Sequence, residues 1–471
     1  MADSTQNDFK FVMQDPNRSF TKKTRTVIKK QAMRAVGATR RKTDPSSNKN
    51  STIVLRRPTR RDLGLGHPLP PMPLSGLELL VRDRGIDPID LSALTSIHIG
   101  TIASTIFASE PSRLSGVLLC HQRSYFSFIP SRFGHSLVLD DAFRCLITVV
   151  HSMLVPDHKP SQDKILSCYG KALHSLQSAV SDPAARYSTE AICATAILAL
   201  FELLESPKGQ LWSQHIAGAS RLIQLKGPSR FTSEFDKALL ISLSYPICAE
   251  ALLNNEACFL DNPKWIEALT AACIPNETFS DRSALGIDLI ILKSKIPGLV
   301  KKTNHAVFIQ ETLQPKDFDA LADEIRVVRT AIVTWRRKFN TALLHAEPHP
   351  QNKTIDFAKR YELLGISLII NIMLSRLLAS IVPNDRALLE EEAQNLAIEL
   401  KSVQGSLGHS KRAQFYFEQK AKLADAAIDT HEEFREEIGS GRVVESWRLE
   451  RFFEAIGRKC CDGKTCCERN G

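Results

Sequence analysis

The chain has 471 residues, 43% apolar and 24% charged, which is ample for a large core and excludes a low-complexity or wholly disordered polypeptide. Its net charge of +9 is unevenly placed: residues 1 to 61 carry 16 Lys and Arg against 4 Asp, whereas the remainder holds 45 basic and 48 acidic residues. Any general attraction to phosphate therefore belongs to the N-terminal segment, not to the body of the chain.

The opening residues MADSTQNDFK are polar and lack the apolar core of a secretory signal. One aromatic patch follows, Phe9-Lys10-Phe11-Val12, either a short docking element or part of a disordered tail. From Thr21 to Lys42 a basic amphipathic helix is predicted. Val27, Ile28, Ala32, Ala35 and Val36 gather on one side, and Lys22, Lys23, Lys29, Lys30, Arg34, Arg40 and Arg41 gather opposite, with no acidic residue between Thr21 and Lys42. Residues 1–42 are thus a basic, disordered N-terminal segment around that candidate helix. Residues 43–73 hold Pro45, Pro58, Pro68, Pro70, Pro71 and Pro73 and read as a linker.

A helical domain is expected over 74–457. Periodic apolar segments recur at about 90–109, 136–155, 162–181, 189–205, 210–226, 234–260, 317–343, 355–382, 386–404, 411–437 and 442–457. Strand-type alternation is scarce, so the fold class is all-α, with helical hairpins stacked into a large array. The longest apolar stretch, Ile366 to Val382, is interrupted by Asn371 and Arg376 and reads as a core helix, not a bilayer span. The first seven cysteines, Cys120 to Cys273, lie mostly inside apolar runs, where a thiol acts as a small hydrophobe, and a reducing compartment is expected. Residues 458–471 form a Cys-rich tail whose Cys460-Cys461 and Cys466-Cys467 pairs leave three options: a soft metal site, lipidation or redox pairing, and the favoured one, an unstructured tail.

The chain is organised around Tyr169 to Gly227. Ile165, Tyr169, Ala172, Leu176 and Val180 recur at helical spacing before Asp182-Pro183, Ala191 to Leu204 is apolar on every side, and Trp212, Ile216, Ala219 and Ile223 share one face of a third helix that Gly227-Pro228 stops. On that third helix Gly218 is read as admitting a close neighbour. The order Tyr169, Ala172-Leu173, Leu176, then Ala196, Leu198, Phe201-Glu202, then Trp212, His215, Gly218-Ala219, Leu222-Ile223, Gly227 resembles the fungal-specific transcription factor domain, a helical regulatory region that usually follows a zinc-cluster DNA-binding domain. Phe9-Lys10-Phe11-Val12, Arg25, Ile28, Ala32-Met33-Arg34 and Arg40-Arg41-Lys42 resemble the N-terminal segment of fungal regulator-like proteins that lack that cluster. The resemblance implies a transcription regulator and not an enzyme. A zinc cluster needs paired Cys-x2-Cys thiolates, and no cysteine precedes Cys120, so sequence-specific DNA binding is not inherited from the family.

Lys22, Lys23, Arg25, Lys29, Lys30, Arg34, Arg40, Arg41 and Lys42 are the candidate residues for contact with DNA or with a nuclear import receptor. Cationic side chains on one helix face neutralise phosphates, Arg can pair with guanine, and Lys29-Lys30 with Arg40-Arg41-Lys42 has the form of a bipartite nuclear address. Phosphorylation of Thr43, within Arg40-Arg41-Lys42-Thr43, would add roughly −2 in charge and weaken either contact. His215 and Glu202 are read as packed, hydrogen-bonded groups without catalytic roles. Gly64-Leu65-Gly66-His67 lacks the third glycine and the preceding strand of a dinucleotide site, and no P-loop, zinc-protease or hydrolase-elbow motif occurs. No catalytic, cofactor or metal residue is assigned. The expectation is a nuclear transcription regulator whose helical domain meets co-regulators or another DNA-binding regulator and forms homo- or heterodimers. The alternative is a helical scaffold or adaptor outside the nucleus whose basic tail touches anionic membrane or RNA.

Overall fold

A computed structural model of the chain describes residues 76–118, 122–155, 160–206, 210–346, 353–408, 411–435, 443–454 and 456–458. The expectations for residues 1–42 and 43–73, including all nine basic candidates, lie outside the described residues, as do those for the tail cysteines.

No strand occurs among the described residues; α-helices and short 3-10 turns succeed one another. In chain order the helices are α1 (Gly76–Arg84), α2 (Gly100–Ser109), α3 (Arg113–Leu118), α4 (Leu137–Leu154), α5 (Gln162–Ser181), α6 (Thr189–Glu205), α7 (Gln210–Lys226), α8 (Glu234–Leu253), α9 (Pro263–Thr270), α10 (Ala284–Phe308), α11 (Pro315–His345), α12 (Lys353–Ile381), α13 (Arg386–Ser406), α14 (Lys411–Asp429), α15 (His431–Arg435) and α16 (Ser446–Glu454). Successive long helices pack on one another as hairpins: α4 on α5, α6 on α7 and on α4, α10 on α11, α12 on α13, α13 on α14. The fold is an all-α array of such pairs, held together by one continuous apolar core.

The stretch Tyr169 to Gly227 becomes α5, α6 and α7. Helix α6 is buried from Ala191 to Leu203, as an all-round apolar sequence requires. Its start is capped by Ser188, whose side chain accepts from Ala191 N. On α5 the apolar stripe is shallower than its sequence indicates: Ile165 and Ala172 are buried, but Val180, at the end of the helix, is 37% exposed. On α7, Trp212, Ile216, Ala219 and Ile223 are all buried, and the helix ends at Gly227, whose φ of 81° is left-handed. Gly218 is not a point of forced approach, since an added Cβ would meet Thr195 Cγ2 at an ordinary 3.7 Å. At the joint of α6, α7 and α8, buried Lys226 donates to Thr189 Oγ1 at 2.7 Å and to Asp236, which also closes a capping box with Ser233.

Two boundaries differ from the periodicity. The segment expected at 90–109 is divided: Asp87 and Asp90 form a capping box on a 3-10 run, Pro88–Ser96, and the chain is extended at Ile97 before α2 begins. The segment expected at 234–260 ends at Leu253, because Asn255 adopts φ 56°. More consequential is α10, 25 residues long with 13 of them buried, which occupies a region where periodicity predicts no helix. Ser283 caps it by accepting from Gly286 N. Pro297 lies in its interior, and helices buried on several sides lose the polar stripe that reveals a period. It packs against α8, α11 and α12 and is the hub of the array.

Helix α12 contains a segment, Ala358–Ile381, long and apolar enough to cross a membrane by length and composition. Within the fold 89% of its apolar window is buried, against α10, α11, α13 and α14, as a core helix requires. Arg376, wholly buried on it, donates from Nη2 to Glu390 Oε1 at 2.9 Å and from Nη1 to Thr430 Oγ1 at 3.1 Å, and its guanidinium lies 4.1 Å from the Phe434 ring centre.

Candidate functional site: a cationic cavity where four helices converge

The polar groups of the Tyr169–Gly227 unit form a closed chain. The Tyr169 ring stacks on Phe201 at 4.6 Å, its hydroxyl hydrogen-bonds Glu202, and His215 Nε2 lies 3.2 Å from the same hydroxyl. Burial pulls the His215 imidazole down to about 4, so it is neutral at physiological pH. Burial also raises the Glu202 carboxyl, although the bond from Tyr169 pulls the other way. With the Tyr169 hydroxyl donating to Glu202, the imidazole donates to Tyr169. These hydrogen bonds and the ring stack fasten α5, α6 and α7.

The cysteines are packing groups of the same kind. Cys145, Cys193, Cys248 and Cys258 are buried free thiols, and Cys168 and Cys273 are half-buried; Cys248 Sγ and Cys258 Sγ approach to 3.8 Å. Cys120 lies outside the described residues.

A different region collects the unused chemistry. Between α8, α10, α12 and α14 a cavity of about 70 Å³, partly open to solvent, is walled by Leu252, Ile366, Ile369, Ile370, Met373 and Leu423. His98, Lys293, Gln419 and Lys420 also line it. Its position follows from helix defects. Helices α8 and α10 each carry an interior proline, Pro246 and Pro297, and both contribute lining residues. Pro297 has no N–H for the Lys293 carbonyl four residues before it, so α10 loses a backbone bond at the cavity wall. His98 comes from the extended break before α2. On α12, Gly365 leaves the room in which the Lys420 stem lies, since a Cβ there would stand 3.0 Å from Lys420 Cδ.

Lys293 and Lys420 line this space, and Lys359, Arg412, Asp281 and Glu362 form a charged cluster that acts on Lys420. Lys359 Nζ bonds Asp281 Oδ2 at 2.7 Å and Glu362 Oε2 at 3.0 Å, and Arg412 Nη2 lies 3.7 Å from Glu362 Oε2. Asp281 Oδ2 and Glu362 Oε2 are thereby occupied, while Glu362 Oε1 is buried without a hydrogen bond among the described residues. Burial opposes ionisation of Glu362, but Lys359, Arg412 and Lys420 outweigh it and hold the carboxyl below its ordinary value. Lys420 donates only a long bond of 3.3 Å to the Tyr416 carbonyl of its own helix. The Lys293 ammonium faces the Tyr245 ring at 4.7 Å and has no hydrogen-bond or ion-pair partner among the described residues. Burial lowers both amines to about 8. His98 stacks on Tyr245 at 4.3 Å; burial first, then Lys293, Lys420 and Lys359, keep it neutral, so its 3.8 Å approach to Glu362 is not an ion pair.

Sequence reasoning assigned no site here. Neither Lys293 nor Lys420 was singled out, although Lys293 stands between Leu292 and Ser294 on a face with Leu289, Ile290, Ile296 and Pro297. A lysine on an apolar face was the available signal. It was hidden because α10 itself was not foreseen.

No family model matches the chain, and no solved structure matches it. A stretch of 181 residues is 28% identical to an uncharacterized protein of Emericella nidulans and covers 38% of this chain. The match spans 38% of the length of that relative.

Proposed function

We propose that this chain is a transcription regulator of fungal type, acting in the nucleus through its helical domain and its basic N-terminal segment, without a zinc cluster. The helical domain works by interaction with co-regulators or another DNA-binding regulator and not by turnover. The observation that carries this reading is the coherence of the Tyr169–Gly227 unit. The spaced residues that resemble the fungal-specific transcription factor domain are the ones that join its three helices: Tyr169 to Phe201, Glu202 and His215, and Trp212, buried beside them, against Gly100 of α2. They form one packing device, as a family signature would. Further support comes from the charge division, because a near-neutral helical body joined to a strongly basic segment separates interaction from nucleic-acid or import-receptor contact.

The test is the location of the tagged full-length chain beside a variant with Lys22, Lys23, Arg25, Lys29, Lys30, Arg34, Arg40, Arg41 and Lys42 all changed to Gln. The parent accumulates in the nucleus and the variant does not. Exclusion of the parent from the nucleus would sink the reading and favour a cytoplasmic or membrane-bound scaffold.

A further inference from the structure

We propose that the cavity between α8, α10, α12 and α14 is a binding site for an organic acid, with the acid's anionic head held by Lys293 and Lys420 and its apolar body lying along Ile366, Ile370, Met373 and Leu423.

Three independent features support the assignment. The first is charge. Asp281 and Glu362 are bonded to Lys359, and Glu362 is approached by Arg412, so neither makes a contact with Lys293 or Lys420. A cation in low dielectric with no carboxylate in direct contact is costly, Glu362 acting on both amines only at longer range, and an anionic ligand supplies that contact. The second is shape. The space lies at the junction of four helices and is walled mainly by branched aliphatic side chains and Met, the environment of an apolar body and not of a sugar or nucleotide. The third is construction. The Lys420 stem is accommodated by the missing side chain of Gly365, and Lys293 stands on the proline-interrupted turn of α10.

The site discriminates by charge and pH together. Lys293 is faced by Tyr245, Cys248 and Cys258, by His98, by Lys420 and, at longer range, by Glu362. Lys420 is faced by Tyr416, Glu362, Lys293 and Lys359. With the amines at about 8, both are mainly protonated at pH 7, and an acid ligand holds them so. Affinity for an acid therefore falls as pH rises above about 8.

The test uses the purified full-length chain and calorimetric titration at pH 7 with decanoate and naphthalene-2-carboxylate, which separate a linear from a ring-shaped body, and with decan-1-ol as the uncharged counterpart. At least one acid is expected to bind saturably near one per chain, tenfold or more tighter than decan-1-ol, and to weaken tenfold or more between pH 7 and 9.5. In the double variant Lys293→Met, Lys420→Met the acid's advantage over the alcohol disappears, and Lys293→Arg with Lys420 intact retains part of it. Should the Met variant fail to fold, Ile370→Trp keeps both lysines and fills the cavity, and it is expected to abolish acid binding. The proposal is overturned if neither acid binds, if the alcohol binds as well as the acids, or if a folded Met or Trp variant binds acid like the parent. None of these measurements involves DNA or the nucleus, so their failure leaves the regulator reading standing, and failure of nuclear accumulation leaves the cavity proposal standing.

Discussion

Trp212 lies so close to α2 that a methyl group on Gly100 would stand 2.2 Å from its Cδ2 atom. With the ring 1% exposed and enclosed by the core, neither partner has room to retreat. Gly100→Ala is therefore expected to cost about 1–3 kcal/mol or more. Gly218→Ala, whose new methyl meets only Thr195 at 3.7 Å, should instead be neutral or stabilising by about 0.5–1 kcal/mol. Urea-unfolding midpoints of the two variants check the contrast. Buried Lys420 and half-buried Lys293 make a second prediction at this scale. Their folded values of about 8 lie below the ordinary lysine value of about 10.4, so between those limits the unfolded chain binds more protons and stability rises with pH. Below about pH 8 the cost of burying the charges is fully present, at most about 3 kcal/mol for each lysine. Relative to the Lys293→Met, Lys420→Met variant, the ligand-free parent should gain stability from pH 8 to 10; a constant difference across that range would show that the amines keep their ordinary lysine value in the fold. His215 and Glu202 were legible in sequence as structural polar groups, because a histidine with no carboxylate one turn away has little to work with. Lys293 and Lys420 were not, because a lysine's identity says nothing of whether its helix face is wet.

At the scale of elements, the legible helices were those with one polar face or with apolar residues on every side between clear caps, such as α6 and α7. The illegible one, α10, is the hub: Pro297 breaks its pattern and its neighbours bury the faces on which a period would show. Arg376 illustrates the same difficulty on α12. In sequence it interrupts an apolar run; in the fold it is the tie between α12 and the helices beside it, through Glu390 of α13 and Thr430 beside α15. His431 Nδ1, 2.8 Å from Glu390 Oε1, completes the group. Glu390→Ala should cost about 3–5 kcal/mol, because it leaves a buried guanidinium without its carboxylate, whereas Arg376→Met with Glu390→Met should cost far less. Chemical unfolding of the single and double variants decides it; equal losses would mean that the pair itself, and not the orphaned charge, carries the stability. Gly365→Ala presses on the Lys420 stem at 3.0 Å and on the buried Phe417 ring at 3.2 Å, and should weaken acid binding several-fold while also lowering stability, which calorimetry beside thermal unfolding would separate.

Across the whole molecule charge is unevenly divided. Residues 1 to 61 carry the excess of Lys and Arg, and the rest of the chain is near neutral while placing Lys293 and Lys420 on one cavity. The first concentration was visible in sequence because it is contiguous; the second was not, since it is assembled from α10, α12 and α14. If the basic segment only addresses or tethers the protein, changing its nine named Lys and Arg residues to Gln should leave the thermal unfolding midpoint within about a degree of the parent while removing nuclear accumulation. The most direct measurement of the regulatory reading is chromatin occupancy of the tagged full-length chain in the cell that makes it. The account predicts enrichment at discrete promoters, reduced several-fold in the Gln variant. Signal no greater than background across the genome, with the protein abundant and folded, would contradict it.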